Sequence, residues 1–336
     1  EFAIMGFLPD VAASFGVTTP QAGYVISAYA LGVVVGAPII ALLAARLSRR
    51  HLLLLLMAVF AAGNLLSAFA PDFNSFFLLR FLTGLPHGAY FGVAALVAAS
   101  MVPFHMRARS VGWVMLGLTI ATLAGTPLSA FFAQLLDWRA AFLFVGLIGL
   151  LTVALIWIYL PRDQVAEGAS VSRELSAFSR PQVLMTLAMA ATGFGGMFAV
   201  FSYIAPTVTD VANMPLTMVP VILVLFGIGM NVGNIVGSKF ADMSLLGTIG
   251  GMMVFNIVIM LVFATTSANG YILCVSVFLI GCTFAAGPAV QTRLMDVAAD
   301  AQTLAAASMH SAFNIANALG AWLGGLVIAA GYGYAA

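Results

Sequence analysis

Uncharged stretches dominate the chain, and Asp, Glu, Lys and Arg act as its punctuation. Charge-free runs cover 11–45, 51–71, 81–106, 110–136, 140–161, 181–209, 211–238, 243–292 and 301–336. A membrane-spanning helix needs about 20 mostly apolar residues, so most runs predict one helix each. The run 243–292 is too long for one helix and breaks at the turn-like cluster Ser267-Ala268-Asn269-Gly270. The pattern predicts ten full helices near 20–45, 51–70, 75–102, 107–135, 139–160, 181–206, 215–240, 245–266, 271–294 and 302–330. Residues 1–15 read as the end of another. Membrane β-barrels show short alternating segments instead, so the expected fold class is an all-α polytopic membrane protein.

Composition sharpens the picture. Of 336 residues, 63% are hydrophobic and 7% are charged, against roughly a quarter charged in a soluble domain. That excludes a water-soluble enzyme, a disordered chain and a disulfide scaffold. A formal net charge of +1 gives no electrostatic case for nucleic acid. Cys274 and Cys282 are eight residues apart on one predicted helix, about 12 Å along its axis and too far for a disulfide. The scattered His51, His87, His105 and His310 make no metal cluster, and no phosphate-cradling Gly-x-x-x-x-Gly-Lys loop is present. No metal or cofactor is expected, and no clustered acid, base or nucleophile suggests an enzyme.

Ten of the twelve basic residues fall on one side when the helices alternate: Arg46, Arg49, Arg50, Arg107, Arg109, Arg162, Arg173, Arg180, Lys239 and Arg293. The positive-inside rule makes that side cytoplasmic, and the N-terminus with it.

The chain repeats itself. At an offset of 197, Gly32 falls on Gly229, Gly36 on Gly233, Gly84 on Gly281 and Ala45 on Asp242. At 195, Ile120-Ala121 falls on Ile315-Ala316, Gly125 on Gly320 and Leu128 on Leu323. The expected organisation is an N-terminal half over 1–160, a polar cytoplasmic linker over 161–180 and a C-terminal half over 181–336. Because 336 − 197 = 139, the second copy ends where the first reaches Arg139. About eleven of twelve helices are therefore expected, the first clipped and the twelfth missing. Two parallel six-helix repeats are a transporter architecture, with the substrate path between them near the bilayer midplane.

Several motifs resemble the major facilitator superfamily, in particular bacterial drug/proton antiporters of the arabinose-efflux-like subgroup. Ala41-Leu42-Leu43-Ala44-Ala45-Arg46-Leu47-Ser48-Arg49-Arg50 is similar to the superfamily loop Gly-x-Leu-x-Asp-Arg-x-Gly-Arg-Arg. Its basic residues match, while Ala41, Ala45 and Ser48 replace Gly, Asp and Gly. The second copy, Gly237-Ser238-Lys239-Phe240-Ala241-Asp242, keeps Gly and Asp and loses the following Arg. Arg46, Arg49 and Arg50 are read either as headgroup anchors or, with Asp242, as a cytoplasmic latch. Arg80-Phe81-Leu82-Thr83-Gly84 matches the family's Arg-x-x-x-Gly. Glu1-Phe2-Ala3-Ile4-Met5-Gly6-Phe7-Leu8-Pro9 resembles the subgroup's first-helix motif. Gly117, Gly125-Thr126-Pro127 and Ser129 resemble a degraded antiporter motif, which implies export over import. Trp138-Arg139 is expected to anchor at the interface.

An ionisable residue inside the membrane is expensive and is read first as functional. Glu1 and Arg80 are the candidates for proton coupling. Alternatively Arg80 snorkels to the headgroups and Glu1 is a structural acid. Tyr24, Tyr29, His87 and Tyr90 supply polar edges to a substrate cavity in the first half, and Phe194, Phe198, Phe201, Asn231, Asn314 and Asn317 line it in the second. The resemblance implies an exporter of sugar-like solutes or drugs by proton antiport with alternating access. It would work as a monomer in a bacterial inner membrane, with small-molecule substrate, protons and lipid as its partners. A facilitative or symporting importer of sugar or nucleoside, and a non-transporting receptor, are the rival readings.

Overall fold

The computed structural model describes residue 4, residues 7–162 and residues 170–334. Among them there is no β-strand. Ten helices are long and apolar enough to cross a membrane: Gln21–Leu43, Arg49–Ala68, Phe73–Ser100, Phe104–Gly125, Trp138–Tyr159, Pro181–Ser202, Leu216–Met243, Leu245–Thr266, Gly270–Val297 and Gln302–Ala329. All ten expected full helices are there, with ends shifted by a few residues, except that the one expected over 107–135 is broken by a π-turn, so that its first span ends at Gly125 and a separate helix carries it on to Leu135. Only helices keep every backbone N–H and C=O paired within one segment in lipid. Large apolar side chains such as Leu31, Leu151, Val254 and Leu261 remain exposed, as a lipid-facing surface requires.

The elements that carry the site are α1 (Leu8–Phe15), α2 (Thr19–Leu43), α3 (Arg49–Ala68), α4 (Phe73–Ser100), α5 (Arg107–Ile120), α6 (Thr126–Leu135) and α7 (Trp138–Tyr159). After the linker helix α8 (Val171–Leu175) come α9 (Pro181–Gly193), α10 (Gly195–Ser202), α11 (Ile204–Pro206), α12 (Val219–Met243), α13 (Leu245–Thr266), α14 (Gly270–Cys282), α15 (Ala286–Val297) and α16 (Gln302–Ala329). Local chemistry sets several starts. Thr18 and Gln21 form a capping box on α2. Asp72 accepts from the Ser75 backbone N–H and hydroxyl, both at 2.9 Å, at the head of α4. Those bonds hold the exposed Asp72 carboxyl below its usual range.

Two compact units share the chain. Unit 1 holds the residues up to Val97, Ala124–Val183 and Val297–Ser311; unit 2 holds Ala98–Leu123, Leu184–Asp296 and Ala312–Ala336. Neither unit is continuous in sequence. One boundary, between Leu123 and Ala124, falls inside a π-turn over Ala121–Gly125 that joins α5 to α6. Pro127 explains the turn. It has no N–H to give to Leu123, so the regular i→i−4 ladder is interrupted there.

The 197-residue spacing recurs in the packing inside each unit. In unit 1, a side chain on Gly32 would strike the Phe81 carbonyl, one on Gly36 the Leu85 backbone, and one on Gly84 the Tyr29 carbonyl. In unit 2, Gly229 meets Phe278, Gly233 meets Cys282, and Gly281 meets Phe226. Each contact is the other moved by 197. Helices approach this closely only where side chains are absent.

A second device acts on α2. Pro38 cannot donate to Val34, and the Ser311 hydroxyl of α16 donates to that freed carbonyl at 3.0 Å. The same offset puts Asn231 at position 34, where its amide bonds α5 instead.

Gly36→Ala and Gly233→Ala should each cost about 1–3 kcal/mol, because a methyl group would have to push one backbone off another. Gly117→Ala should be nearly neutral, since nothing lies within 4 Å of a methyl group there. Thermal unfolding in detergent separates the two classes, and an equal loss at Gly117 would refute the assignment.

Candidate functional site

The site is built outward from Arg80. It lies two turns into α4, well past the helix head at Phe73, so it is inside the span rather than at its edge. The side chain is only 3% exposed. It does not snorkel. Its guanidinium lies over the Tyr29 ring at 4.4 Å and the Phe142 ring at 5.2 Å, and Nη1 faces Asn64 Oδ1 at 3.5 Å. Aromatic faces are strong partners for a cation without water. Asn64 is held by its own donation to the Phe60 carbonyl at 2.9 Å. A small cavity adjoins the group, lined by Ile4, Phe7, Phe60, Asn64, Arg80 and Phe142 among others. Glu1, the sequence candidate for the acidic partner, lies outside the described residues.

Tyr29 continues the line on its other side. Its hydroxyl shares a 2.6 Å hydrogen bond with His87 Nδ1. The His87 ring stands 5.9 Å from the ring of His310, and Phe91 packs against both, at 5.2 Å and 4.7 Å. His310 is buried. Four polar side chains, Arg80, Tyr29, His87 and His310, therefore run from the Arg80 cavity into the interior of unit 1. Tyr90 stacks edge-on to Phe91 at 6.1 Å and borders the same group. Tyr24 does not join it and is 60% exposed.

The floor of this line is aromatic. Phe7, Phe76, Trp138 and Phe142 form one buried cluster, with Phe76 and Trp138 at 5.2 Å. Trp138 is 2% exposed, so it is a core residue and not the interfacial anchor expected. The reason is its position at the start of α7, where Phe15, Phe76 and Phe142 surround it and burial of a large ring outweighs an interfacial seat.

Unit 2 repeats the backbone and replaces the chemistry. Shifted by 197, Asn64, Arg80, Tyr29 and His87 become Leu261, Val277, Phe226 and Phe284. Phe194, Phe198, Phe284 and Phe313 form an aromatic group, with Phe198 and Phe313 at 4.8 Å and Phe194 and Phe313 at 5.3 Å. Phe201 stacks on Phe226 at 5.1 Å. Asn314 is buried and Asn317 half-buried one turn on. Asn231 is engaged in a helix contact: it donates to the Thr119 and Gly227 carbonyls at 3.1 and 2.9 Å and accepts from the Thr119 hydroxyl at 2.9 Å. That leaves little of its amide for a solute.

Asp242 and Arg50 of the expected latch have partners within their own units. Asp242 Oδ1 accepts from the backbone N–H groups of Ala108 and Arg109, at 2.9 and 3.3 Å, and Oδ2 lies 3.5 Å from Arg109 Nε. Its described partners are thus at the head of α5. A helix head offers unpaired N–H groups and the positive end of its dipole, so a carboxylate fits there. Arg107 pairs with Asp296 at 2.7 Å. Arg50 donates to the Trp157 carbonyl at 2.7 Å and stacks on that ring. In the antiporter-like motif, Gly125 closes the π-turn, and Pro127 has its backbone in α6 while its side chain is outside the described set. A methyl group on Gly117 would meet nothing within 4 Å.

Sequence reasoning missed Asn64, Phe91, Phe142 and Phe313 as neighbours of these groups. Asn64 had a signal, being a lone amide in an apolar run. The three phenylalanines had none among 26. Among the described residues no group of three or more His, Cys, Asp or Glu could hold a metal ion.

The sequence matches the family model described as Major Facilitator Superfamily over residues 1–325. It is 41% identical over 335 residues to "Inner membrane transport protein YdhP" of Escherichia coli (strain K12), covering 99% of this chain and 86% of that protein. It is 31% identical over 328 residues to "Chloramphenicol resistance protein" of Streptomyces lividans, covering 95% and 83%. In fold it is similar to the proton:xylose symporter XylE bound to 6-bromo-6-deoxy-D-glucose, with a TM-score of 0.77 at 15% identity, covering 98% of this chain and 85% of that one.

Tyr29→Phe keeps the ring under Arg80 and loses only the hydroxyl, so it should cost about 1 kcal/mol. Tyr29→Ala removes the ring as well and should cost about 3 kcal/mol or more. Unfolding in detergent measures both, and equal losses would show that the Arg80–ring contact carries no weight.

Proposed function

Because the chain belongs to the major facilitator superfamily, and so is a multi-pass membrane transporter of small molecules, we propose that it exports weakly polar organic solutes in exchange for protons. The carrying observation is the buried line Arg80–Tyr29–His87–His310 in unit 1. Imidazole changes charge nearest to neutral pH among unperturbed side chains, and a cation beside the same hydrogen-bonded line biases where a proton rests. Glu1 is the further acceptor in this proposal.

The solute belongs to the aromatic side of the molecule. Phe194, Phe198, Phe284 and Phe313, with Asn314 and Asn317 nearby in sequence, offer apolar faces and few charges. That lining suits neutral drug-like or sugar-like molecules and gives a multiply charged cation no counterion. The direction, outward, is supported by the antiporter-like Gly117, Gly125 and Pro127. Alternating access is the mode of transport in this proposal, and the duplicated glycine crossings supply closely packed helix pairs for it. The basic loops define the cytoplasmic face, with the N-terminus on that face of a bacterial inner membrane and the monomer as the working form.

Export of a panel of labelled sugars and neutral antibiotics, from cells over-expressing the protein, tests this. Export should collapse with a protonophore. Glu1→Gln, Arg80→Gln and His87→Gln should each abolish gradient-driven export while keeping solute counterflow in proteoliposomes. Export that survives both the protonophore and these substitutions would exclude proton coupling.

A further inference from the structure

Asp242 and its repeat partner Ala45 pose a structural question. In unit 2, Asp242 closes the head of α5 through Ala108 and Arg109. The corresponding head in unit 1 belongs to α16, since an offset of 195 takes Arg109 to Leu304. The packing agrees. Gly112 lies against Ser238 and Asn234 in unit 2, and the shifted positions Ala307, Ala41 and Ala37 share one buried cluster in unit 1. Ala45 has no oxygen on its side chain, so the loop after α2 cannot supply the carboxylate that its counterpart does.

The missing group comes from elsewhere in the sequence. Glu174 of the linker helix α8 is 8% exposed, and its Oε2 accepts from the Leu304 backbone N–H at 2.8 Å. Leu304 is the position to which Arg109 maps. Beside it, Arg173 Nε donates to the Asp300 carbonyl at 3.1 Å, and its guanidinium stands 3.8 Å from the Asp300 carboxylate. The linker therefore grips the lead-in and the first turn of α16. A buried acid on a linker is costly unless paired, and here the pairing is with the Leu304 N–H in the first turn of α16.

We propose that Glu174 replaces the loop aspartate lost at position 45, so that the linker is the clasp that holds the head of α16 in unit 1. The device is asymmetric. In unit 2 the clasp is part of the repeat itself, while in unit 1 it depends on a segment outside the repeat. Releasing Glu174 frees residues 302–308 and leaves 107–112 in place; releasing Asp242 does the reverse. In the transport cycle, which rests on the alternating-access reading above, this makes the linker a control point for one of two otherwise equivalent contacts.

Amide hydrogen exchange on the detergent-solubilised full chain tests the clasp without any transport assay, so its failure is separate from failure of the exporter reading. Glu174→Gln should speed exchange over 302–308 by about tenfold, the effect of losing a charged helix cap, with 107–112 unchanged. Asp242→Asn should speed 107–112 and spare 302–308. Adding Ala45→Asp to Glu174→Gln should restore protection over 302–308. Unchanged exchange in Glu174→Gln, equal loosening of both heads, or no rescue by Ala45→Asp would each overturn the proposal.

Discussion

The crossing of α2 over α4 at Gly32, Gly36 and Gly84 sets the geometry on which unit 1 depends. With no side chains between them, the two backbones lie close enough for Gly84 to rest against the Tyr29 carbonyl. On α4, Arg80 sits one turn before Gly84 and His87 one turn after it. Tyr29 is thereby held between them, its ring under the guanidinium and its hydroxyl on the imidazole. A guanidinium inside a membrane has few partners that offset its lost hydration. Here the glycine contact brings the Tyr29 ring to it, and α7 and α3 add the Phe142 ring and the Asn64 amide.

The duplicate crossing in unit 2 shows that backbone and chemistry are separable. Gly229, Gly233 and Gly281 hold the helices in the same way, yet the positions of Arg80, Tyr29 and His87 carry Val277, Phe226 and Phe284. One half became ionic and the other aromatic on a shared frame. The helix heads diverged likewise. The carboxylate that caps α5 is built into the repeat, and the one that caps α16 arrives from the linker. In each case the physical demand is constant, and the residue that meets it differs: a helix head needs an acceptor, and close helices need small residues.

Much of this is legible along the chain. The spans follow from uninterrupted apolar runs, because lipid demands length and apolarity that no other setting does. Arg80 and His87 stand out because a lone polar residue in such a run is costly. The repeat is legible because glycine contacts constrain both partners and so keep their spacing. By contrast, the place of Trp138 at a helix start suggests an anchor, and its burial among Phe15, Phe76 and Phe142 is invisible there. Asp242 stands out as a charge, but its hold on the backbone N–H groups of Ala108 and Arg109 does not, because nearly every residue carries such a group and no pattern displays it.

The sequence by itself determined that the chain is a bundle of membrane helices, where each helix runs, and which few polar residues the membrane must accommodate. Those follow from solvation, a property of each segment alone. Only the tertiary structure decided which polar groups meet: that Tyr29 bridges Arg80 and His87, that His310 joins them from a helix more than 200 residues further on, and that Glu174 reaches Leu304. Such pairings depend on distances and directions between elements remote in sequence. Hydropathy carries no record of them, because any partner of the right polarity would satisfy it.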